Sequence, residues 1–169
     1  MPHLALVKDA TGNNVVIKAV LAEEASELEA EAAAYEALLP LQGKEVPTFL
    51  AKGKVAAAGG EELDAIAIEY IDGSAQGLAD ECKTMDTRNR IMQLFQKIWD
   101  LGVVHGDVEF RNIGRRKSGE LVLYDFGFAT VNATQQQKDD EEQEVTALLR
   151  RASDEDDVSV VQVCDAMSP

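Results

Sequence analysis

Two short segments of the chain carry acidic and amide side chains directly after apolar runs. The first spans residues 104–112, VHGDVEFRN, and contains Asp107 and Asn112. The second spans residues 123–127, LYDFG, and contains Asp125. Oxygen atoms of such side chains can accept a proton or bind a hard cation such as Mg²⁺. An acid after a strand is also common turn chemistry, so neither segment alone would predict a function.

The elements around these segments can be predicted from the pattern of apolar residues. A hairpin is expected between them, with arms at 113–116 and 120–124 and a turn at 117–119. A short strand at 103–104 leads into the first segment. An amphipathic helix precedes it and ends at Gly102. The apolar positions of this helix fit the spacing i, i+3, i+4, i+7, i+8: Ile91, Leu94, Phe95, Ile98 and Trp99.

The first half of the chain is predicted to form a small antiparallel sheet with one helix. A hairpin is expected at 4–7 and 15–20, because the turn-forming residues TGNN at 11–14 separate two apolar runs. The Ala- and Glu-rich stretch 23–39 lacks Gly and Pro and is followed by Pro40, which predicts a helix. Two more strands are expected at 48–55 and 63–71. A linker is expected at 72–77, and we take it as the boundary between the two lobes.

Together the two acidic segments have a specific order: HxDxxxxN, a hairpin, then DFG. This order resembles the catalytic loop and the metal-binding motif of the protein-kinase-like superfamily. The HGD form is similar to aminoglycoside-phosphotransferase-like kinases, to the small kinase of the KEOPS complex and to short fungal kinase-like proteins. The resemblance runs in order over residues 4–129. It implies that Asp107 is the catalytic base and that Asn112 and Asp125 bind Mg²⁺. Asn112 would thus also be a catalytic residue.

Two upstream landmarks of the same superfamily follow in order. The sequence VVIK at 15–18 resembles the VAIK strand, which implies that Lys18 is a catalytic residue that binds the α- and β-phosphates of ATP. The acid that pairs with this lysine would be Glu31, because a Glu-x-x-x-Tyr pattern before an apolar run and Val-Pro is usual there. Glu27 and Glu36 remain alternatives, since the helix is dense in Glu.

The hinge of the superfamily is resembled by the sequence IEYI that ends the last predicted strand. The resemblance implies that the backbone of Glu69 and Ile71 bonds the adenine edge and that Ile68 is the gatekeeper. Together with Lys18 and Asp125, these are the expected cofactor-binding residues. The expected cofactors are ATP and Mg²⁺.

The implied fold class is α+β, in the form of a truncated bilobal protein-kinase-like fold. Residues 1–71 would form a small β-rich N-lobe with one long helix, lacking the first strand and the Gly-rich loop. Residues 72–169 would form a reduced, mostly helical C-lobe with the catalytic loop, the DFG segment, an acidic helix and a tail. His105 and Phe126 would be structural, the latter packing against the helix that carries Glu31. The acidic helix would pack an apolar stripe under the catalytic loop: Val145, Leu148 and Leu149.

Three features depart from the pattern of the superfamily. No Gly-x-Gly-x-x-Gly precedes Lys18, so the loop that covers phosphates with backbone N–H groups is missing. Glu109 stands where Ser/Thr kinases usually have a lysine, and Arg111 is the candidate for a compensating cation. Forty residues follow Ala129, without an APE motif, which leaves little room for the region where peptide substrates dock.

The function implied by the resemblance is that of a minimal ATP:Mg²⁺-dependent phosphotransferase acting on protein Ser/Thr or on itself. The alternative is a kinase-like binding or regulatory module with weak or no catalysis, which the missing loop, Glu109 and the acidic tail favour. A small-molecule kinase of the aminoglycoside type is a third alternative. Beside ATP, a protein substrate or a regulatory protein partner is expected.

The charge of the chain limits its partners. Lys and Arg number 16 against 31 Asp and Glu, a net charge of −15 over 169 residues. This balance argues against binding nucleic acid or an anionic membrane over a broad surface. Nine acids and three bases fall between Lys138 and Asp157. Two isolated cysteines, Cys82 and Cys164, and no recognisable signal peptide or apolar span predict an intracellular location, cytoplasmic and/or nuclear.

Overall fold

The computed structural model describes residues 3–72 and 77–154 and has a mixed α+β architecture. A four-stranded antiparallel sheet with one long helix forms the first half. Helices and two small two-stranded sheets form the second half. The predicted α+β class is therefore confirmed. The predicted linker at 72–77 lies for the most part outside the described residues, as does the predicted tail beyond residue 154.

The sheet of the first half contains the four predicted strands. Their bounds are β1 at His3–Lys8, β2 at Asn14–Val20, β3 at Phe49–Ala56 and β4 at Glu62–Glu69. The strands pair antiparallel in the order β1-β2-β4-β3. The prediction of a last strand reaching Ile71 was too long, since β4 ends at Glu69. Tyr70 and Ile71 therefore leave the sheet and are free to face the cavity described below.

The carboxylate of Asp9 accepts the main side-chain hydrogen bonds of the turn between β1 and β2. The Oδ1 atom of Asp9 accepts hydrogen bonds from the backbone N–H groups of Thr11 at 2.8 Å and Asn13 at 2.9 Å. Gly12 has a φ of +89°, a left-handed conformation that glycine adopts without steric cost. The turn predicted from TGNN is confirmed, and Asp9 explains how it is stabilised.

The helix of the first half, α1, runs from Ala25 to Ala37 and packs against strands β2, β3 and β4. Its buried positions are Leu28, Glu31, Ala34 and Tyr35. The predicted helix at 23–39 is shorter than expected, because both ends are 3₁₀ turns, at Ala22–Glu24 and Leu39–Leu41. Pro40 has no backbone N–H and cannot continue an α-helix.

The second half contains three helices and four short strands within the described residues. The helices are α2 at Leu78–Glu81, α3 at Met85–Asp100 and α4 at Gln135–Asp154. The strands are β5 at Val103–Val104, β6 at Ile113–Arg115, β7 at Leu121–Leu123 and β8 at Thr130–Val131. The predicted hairpin is confirmed as β6–β7, while β5 pairs with β8.

The predicted apolar stripes of α3 and α4 are both buried. Thr84 caps α3 by accepting a hydrogen bond from the backbone N–H of Thr87. The stripe of α3 shares one core with Ile66 and Ile68 of β4, and Val145 and Leu149 of α4 belong to the same core. The two halves are therefore joined by continuous apolar packing. Within the described residues, neither α4 nor another helix has the length and apolar character needed to cross a membrane.

Candidate functional site

Three charged side chains meet where the sheet faces the second half. Lys18 lies on β2 and Glu31 on α1, and their Nζ and Oε2 atoms are 2.6 Å apart. The same Nζ atom lies 2.7 Å from Oδ1 of Asp125, which follows β7. Glu31 is 1% exposed, whereas Glu27 and Glu36 are exposed, so Glu31 alone of the three candidates pairs with Lys18. We call Lys18, Glu31 and Asp125 the charged triad.

The charged triad combines one ammonium group with two carboxylates. Burial acts to lower the pKa of Lys18, but the adjacent carboxylates of Glu31 and Asp125 more than offset it and raise that pKa. Burial raises the pKa of Glu31, and the ammonium group of Lys18 limits the rise. Lys18 is therefore a stable cation at the centre of the triad. Because an ammonium group attracts phosphate oxygens, the half-buried Lys18 is the candidate anion-binding group of the triad.

A cavity of about 340 Å³ opens beside the charged triad. Its apolar wall includes Leu4, Val16, Ile68 and Ile71, and its charged end is formed by the triad. The predicted hinge residues Ile68, Glu69 and Ile71 all line this cavity. An apolar slot with a few convergent polar groups is the usual form of a small-molecule site.

The carboxylate of Glu69 binds protein groups and not a ligand. Oε2 accepts hydrogen bonds from the backbone N–H of Thr48 at 2.9 Å and from its hydroxyl at 3.0 Å, and both oxygens pair with the guanidinium of Arg116. The backbone N–H of Glu69 donates to the carbonyl of Thr48 at 2.9 Å. A backbone contact from Glu69 to a ligand can therefore use only the carbonyl oxygen.

Two acidic centres can be distinguished: Asp125 in the charged triad, and Asp107 on the loop between β5 and β6. The Nδ2 atom of Asn112 donates to the carbonyl oxygen of Asp107 at 2.9 Å and to its Oδ2 at 2.8 Å. Nη2 of Arg111 donates to both carboxylate oxygens, at 3.0 and 2.9 Å. Partial burial acts to raise the pKa of Asp107, but the bonds from Asn112 and Arg111 outweigh it and hold that pKa below the ordinary value of an aspartate. Asp107 is therefore ionised at neutral pH.

The two acidic centres are joined by Tyr124, which precedes Asp125. Its backbone N–H donates to the carbonyl of Asn112 at 3.1 Å, and its hydroxyl donates to the carbonyl of Arg111 at 2.5 Å. Asp125 itself has a φ of +65°, a conformation that few non-glycine residues adopt. Strained backbone of this kind persists where the surroundings fix it, and it is common at functional sites.

His105 and Phe126 form the structural support beneath this loop, as the sequence predicted. His105 is fully buried, and its Nε2 atom lies 3.0 Å from the carbonyl of Tyr124, while its Nδ1 accepts from the backbone N–H of Asp107. Burial lowers the pKa of His105, so the ring is neutral with its proton on Nε2. Phe126 packs between His105 and Tyr35 of α1, with ring centroids 4.8 and 5.4 Å apart.

A glycine is required at position 106 by its surroundings. Gly106 has a φ of +77°, and a Cβ atom there would lie 2.2 Å from the carbonyl oxygen of Phe128. Its backbone N–H donates at 2.7 Å to Oε1 of Glu141, whose Oε2 accepts from the indole Nε1 of Trp99 at 2.6 Å. The Gly of the HGD sequence is thus explained by close backbone packing, independently of any catalytic role.

Glu141 was missed by sequence reasoning, although it is buried and fixes the loop of Asp107 through Gly106. A signal existed, because Glu141 lies four residues before Val145 and so falls on the apolar stripe of α4. Within a run of nine acids this position looked like another solvated residue. A buried carboxylate that accepts two hydrogen bonds is compatible with the stripe, because its oxygens are satisfied.

Asn112 and Asp125 can be tested for the predicted Mg²⁺ site. Within residues 3–72 and 77–154, no three His, Cys, Asp or Glu side chains stand together as a metal-binding group. Asn112 uses Nδ2 for its bonds to Asp107, which leaves Oδ1 as the atom for a cation. Two protein oxygens are sufficient for Mg²⁺ shared with phosphates, since this ion keeps several waters. The donor atoms of these two side chains are therefore of the kind that Mg²⁺ binds.

Glu109 and Arg111, the two unusual residues of the loop, have defined positions. The carbonyl of Glu109 accepts from the backbone N–H of Asn112 at 3.0 Å, closing the 3₁₀ turn Phe110–Asn112. The guanidinium of Arg111 pairs with Asp107 and not with the charged triad.

No protein-family model and no curated protein matches the sequence. The functional argument therefore rests on the contacts within this chain.

Proposed function

We propose that the protein is a minimal ATP- and Mg²⁺-dependent phosphotransferase of the protein-kinase-like superfamily that acts on protein serine or threonine. The observation that carries the proposal is the contact of Lys18 with Glu31 and Asp125 at the charged end of an otherwise apolar cavity. Two elements that lie far apart in the sequence, β2 and the segment after β7, meet at this point. A flat purine suits the apolar wall, and its phosphates suit the charged end.

The fold assigned with this function is the reduced bilobal one. The sheet and α1 correspond to a small lobe over residues 1–71, and the remainder corresponds to a helical lobe over residues 72–169. The cavity wall formed by Ile68 and Ile71 is consistent with a hinge between them. The HGD glycine is consistent with this fold because the loop requires a residue without a Cβ.

Each residue of the site has a distinct task in this proposal. The ammonium group of Lys18 binds phosphate oxygens, and Glu31 fixes its position from behind. Asn112 and Asp125 would hold Mg²⁺, which neutralises phosphate charge when bound. Asp125 now pairs with Lys18, so its carboxylate is shared between two cationic partners when the ion is present. Positioning and charge neutralisation account for most of the catalysis of phosphoryl transfer.

Asp107 orients the attacking hydroxyl and accepts its proton. Its low pKa keeps it ionised at neutral pH, which a proton acceptor requires. Arg111 donates to both carboxylate oxygens and Asn112 to Oδ2, so Oδ1 is the oxygen with acceptor capacity left for a hydroxyl group. Arg111 is 66% exposed, and such a surface pair is weak enough to rearrange.

The test is phosphoryl transfer from radiolabelled ATP with Mg²⁺ to a mixed Ser/Thr peptide library and to the protein itself. Asp107→Asn should reduce the rate by about 10²-fold or more, because the proton acceptor is lost while the loop contacts of Asn112 remain possible. Glu109→Gln is the matched control, since it removes a carboxylate from the same loop. Equal rates for Asp107→Asn and the unmodified protein would contradict the proposal.

Nucleotide binding is tested separately by calorimetry and thermal unfolding with Mg-ATP. Lys18→Met should abolish the stabilisation that ligand binding produces. Lys54→Met is the matched control, because Lys54 lies on the same sheet and pairs with an exposed carboxylate, Glu62. Binding that is equal in the two variants would remove Lys18 from the proposed phosphate site.

The second candidate function is a regulatory binding module without catalysis. The specific observation in its favour is that both acidic centres are already satisfied by protein cations, Asp107 by Arg111 and Asp125 by Lys18. This function predicts no change in the unfolding temperature with Mg-ATP and no transfer of phosphate. A shift of several degrees with millimolar Mg-ATP would exclude it as the full account.

A further inference from the structure

Residues 69–72, which end strand β4 and follow it, border two cavities. Glu69, Tyr70 and Ile71 line the cavity that holds the charged triad. Glu69, Tyr70 and Asp72 also line a second cavity of about 410 Å³ beside the turn between β1 and β2. We call residues 69–72 the wall segment. A segment that borders open space has few packing contacts, so other interactions must fix its position.

Both ends of the wall segment are held by cations from one hairpin turn. The guanidinium of Arg116 pairs with both carboxylate oxygens of Glu69, the first residue of the segment. The ammonium group of Lys117 lies 2.5 Å from Oδ2 of Asp72, the last residue. We call these two ion pairs the hairpin clamp. Two adjacent residues of the hairpin thus hold both ends of a segment whose middle lines the cavity of the charged triad.

The turn that carries the hairpin clamp is itself fixed to the second half of the protein. The backbone N–H of Arg116 donates to the carbonyl of Glu120 at 2.8 Å, and the N–H of Gly119 donates to the carbonyl of Arg116 at 2.8 Å. Nη2 of Arg90, on α3, donates to the carbonyl of Gly119 at 2.8 Å. The hairpin clamp therefore ties the wall segment to α3 as well as to the hairpin.

The two pairs of the hairpin clamp differ in strength. The side chain of Lys117 is 87% exposed, so water screens its pair with Asp72. The side chain of Arg116 is 17% exposed, and its Nε atom also donates to the carbonyl of Lys44 at 3.1 Å. A planar guanidinium can bond a carboxylate and a carbonyl at once, which an ammonium group does with less geometric precision. Arg116 is therefore the principal residue of the hairpin clamp.

The partner of Arg116 is charged at neutral pH. Partial burial acts to raise the pKa of Glu69, but the bonds from Arg116 and Thr48 outweigh it and lower that pKa. The carboxylate of Glu69 therefore needs a cation in its half-buried position. Removal of the guanidinium should draw this carboxylate towards water and displace the wall segment with it.

We propose that Arg116 is a positioning residue that holds the wall segment in the place where a flat ring system fits the cavity. It acts through Glu69 and touches no ligand itself. The hairpin clamp stands on its own contacts, whereas its consequence for a purine ligand rests on the function proposed above. The charged triad shares no residue with the hairpin clamp, so Arg116 should affect binding of the ring and leave binding of phosphates unchanged.

The first test is amide hydrogen exchange of Thr48 and Glu69, measured by NMR. The N–H of Thr48 donates to Oε2 of Glu69, and the N–H of Glu69 donates to the carbonyl of Thr48, both at 2.9 Å. Arg116→Met should speed exchange at both amides by about tenfold or more, because the carboxylate that fixes them is released. Amides of α3 should exchange at an unchanged rate.

Arg115→Met is the matched control for this test. Arg115 is adjacent in sequence and 28% exposed, and it pairs with Glu81 on α2. Neither residue is among the described residues that line the cavity of the charged triad. Arg115→Met should therefore change exchange at Thr48 and Glu69 by less than about twofold. Equal exchange in the two variants would overturn the proposal.

Glu69→Gln is a second variant, which removes the charge of the partner and keeps one acceptor oxygen for Thr48. It should speed exchange at Thr48 in the same direction as Arg116→Met, by about threefold or more. Acceleration of the α3 amides by the same factor in both variants would mean that they lower only global stability. That result would also overturn the positioning role.

The second test separates the ring from the phosphates by NMR titration with adenosine and with Mg-tripolyphosphate. Arg116→Met should weaken the Kd for adenosine by about fivefold or more, because the slot is no longer preorganised. The Kd for tripolyphosphate should change by less than about twofold, since Lys18 is untouched. Equal weakening of both ligands would overturn the positioning role. If the unmodified protein binds neither ligand, the function proposed above is wrong, and the exchange test alone decides the role of Arg116.

Discussion

The carboxylates of Asp125 and Asp107 are held in different ways. Asp125 is held by Lys18, which lies 107 positions earlier in the sequence. Asp107 is held by Arg111 and Asn112, four and five positions later. The geometry at Asp125 therefore exists only when the sheet and α1 are packed on the second half, whereas the geometry at Asp107 is largely a property of its own loop.

The two centres also differ in burial, since the charged triad is more buried than the pair formed by Asp107 and Arg111. The charged triad includes Glu31, a buried carboxylate whose compensating charge is supplied by Lys18. The Asp107–Arg111 pair lies at the surface, where water screens it. Buried charges become costly when a partner is removed, whereas exposed pairs contribute little. Substitutions at the triad should therefore lower the free energy of unfolding strongly. Substitutions at Arg111 should mainly change the pKa of Asp107.

The largest effect is expected for Lys18→Met. The substitution leaves Glu31 buried without a cation, so the free energy of unfolding should fall by about 3–5 kcal/mol. Urea unfolding at pH 7 followed by circular dichroism measures it. Lys54→Met is the control and should cost less than about 1 kcal/mol, because Lys54 and Glu62 are both exposed. A loss of the same size in both variants would contradict the distinction between buried and exposed pairs.

A smaller loss is expected for Gly106→Ala, which tests the packing beneath Asp107. The added Cβ would meet the carbonyl oxygen of Phe128 at 2.2 Å in a left-handed backbone conformation, so unfolding should become easier by about 2–3 kcal/mol. Gly119→Ala is the matched control, since Gly119 has a φ of +90° and no atom within 4 Å of the added Cβ. The difference in unfolding free energy between the two variants isolates the steric contact from the cost of the backbone conformation.

Glu141→Gln should have the next effect, since it removes one of two acceptor oxygens. The Nε2 group of glutamine cannot accept a hydrogen bond, so either Gly106 or Trp99 loses its partner and the protein should lose about 1–3 kcal/mol. Unfolding followed by the fluorescence of Trp99, the single tryptophan, measures the loss directly. Glu142→Gln is the control on the exposed side of α4 and should leave stability unchanged within about 0.5 kcal/mol. Equal stability of Glu141→Gln and Glu142→Gln would mean that Glu141 does not anchor the loop.

The sequence was sufficient to predict most of the fold because its signals are local. The apolar spacing of α3, the turn before β2 and the hairpin between the acidic segments each depend on residues close in sequence, and all are found. The ends of α1 and β4 were predicted less well. Helix and strand ends are set by turns and tertiary contacts that periodicity does not encode.

The candidate site was predictable to a different degree at its two centres. The placement of Asp107 and Asn112 on one loop was predicted from their spacing, but the hydrogen bond between them was not. The pattern Glu-x-x-x-Tyr favoured Glu31, and the packing of α1 on the sheet was needed to exclude Glu27 and Glu36. The position of Arg111 on Asp107 was not predicted, because spacing alone does not say which way an exposed side chain turns. Tertiary packing thus decided what the sequence left open.

The smallest effect is expected for Arg111→Ala, and it sharpens the contrast between the two centres. Because Arg111 helps to hold the pKa of Asp107 below the ordinary value of an aspartate, the substitution should raise that pKa, measured by NMR of the Asp107 carboxyl carbon. A lowered pKa favours the folded state above the unfolded pKa, and this contribution disappears as pH falls through the folded pKa. The variant should therefore be less stable by at most about 0.5 kcal/mol at pH 7, and the difference should vanish below the folded pKa of Asp107. Asp9 is the internal control, because its pKa is lowered by Thr11 and Asn13 and should not respond. A stability difference that persists at low pH would show that Arg111 acts through packing and not through the charge of Asp107.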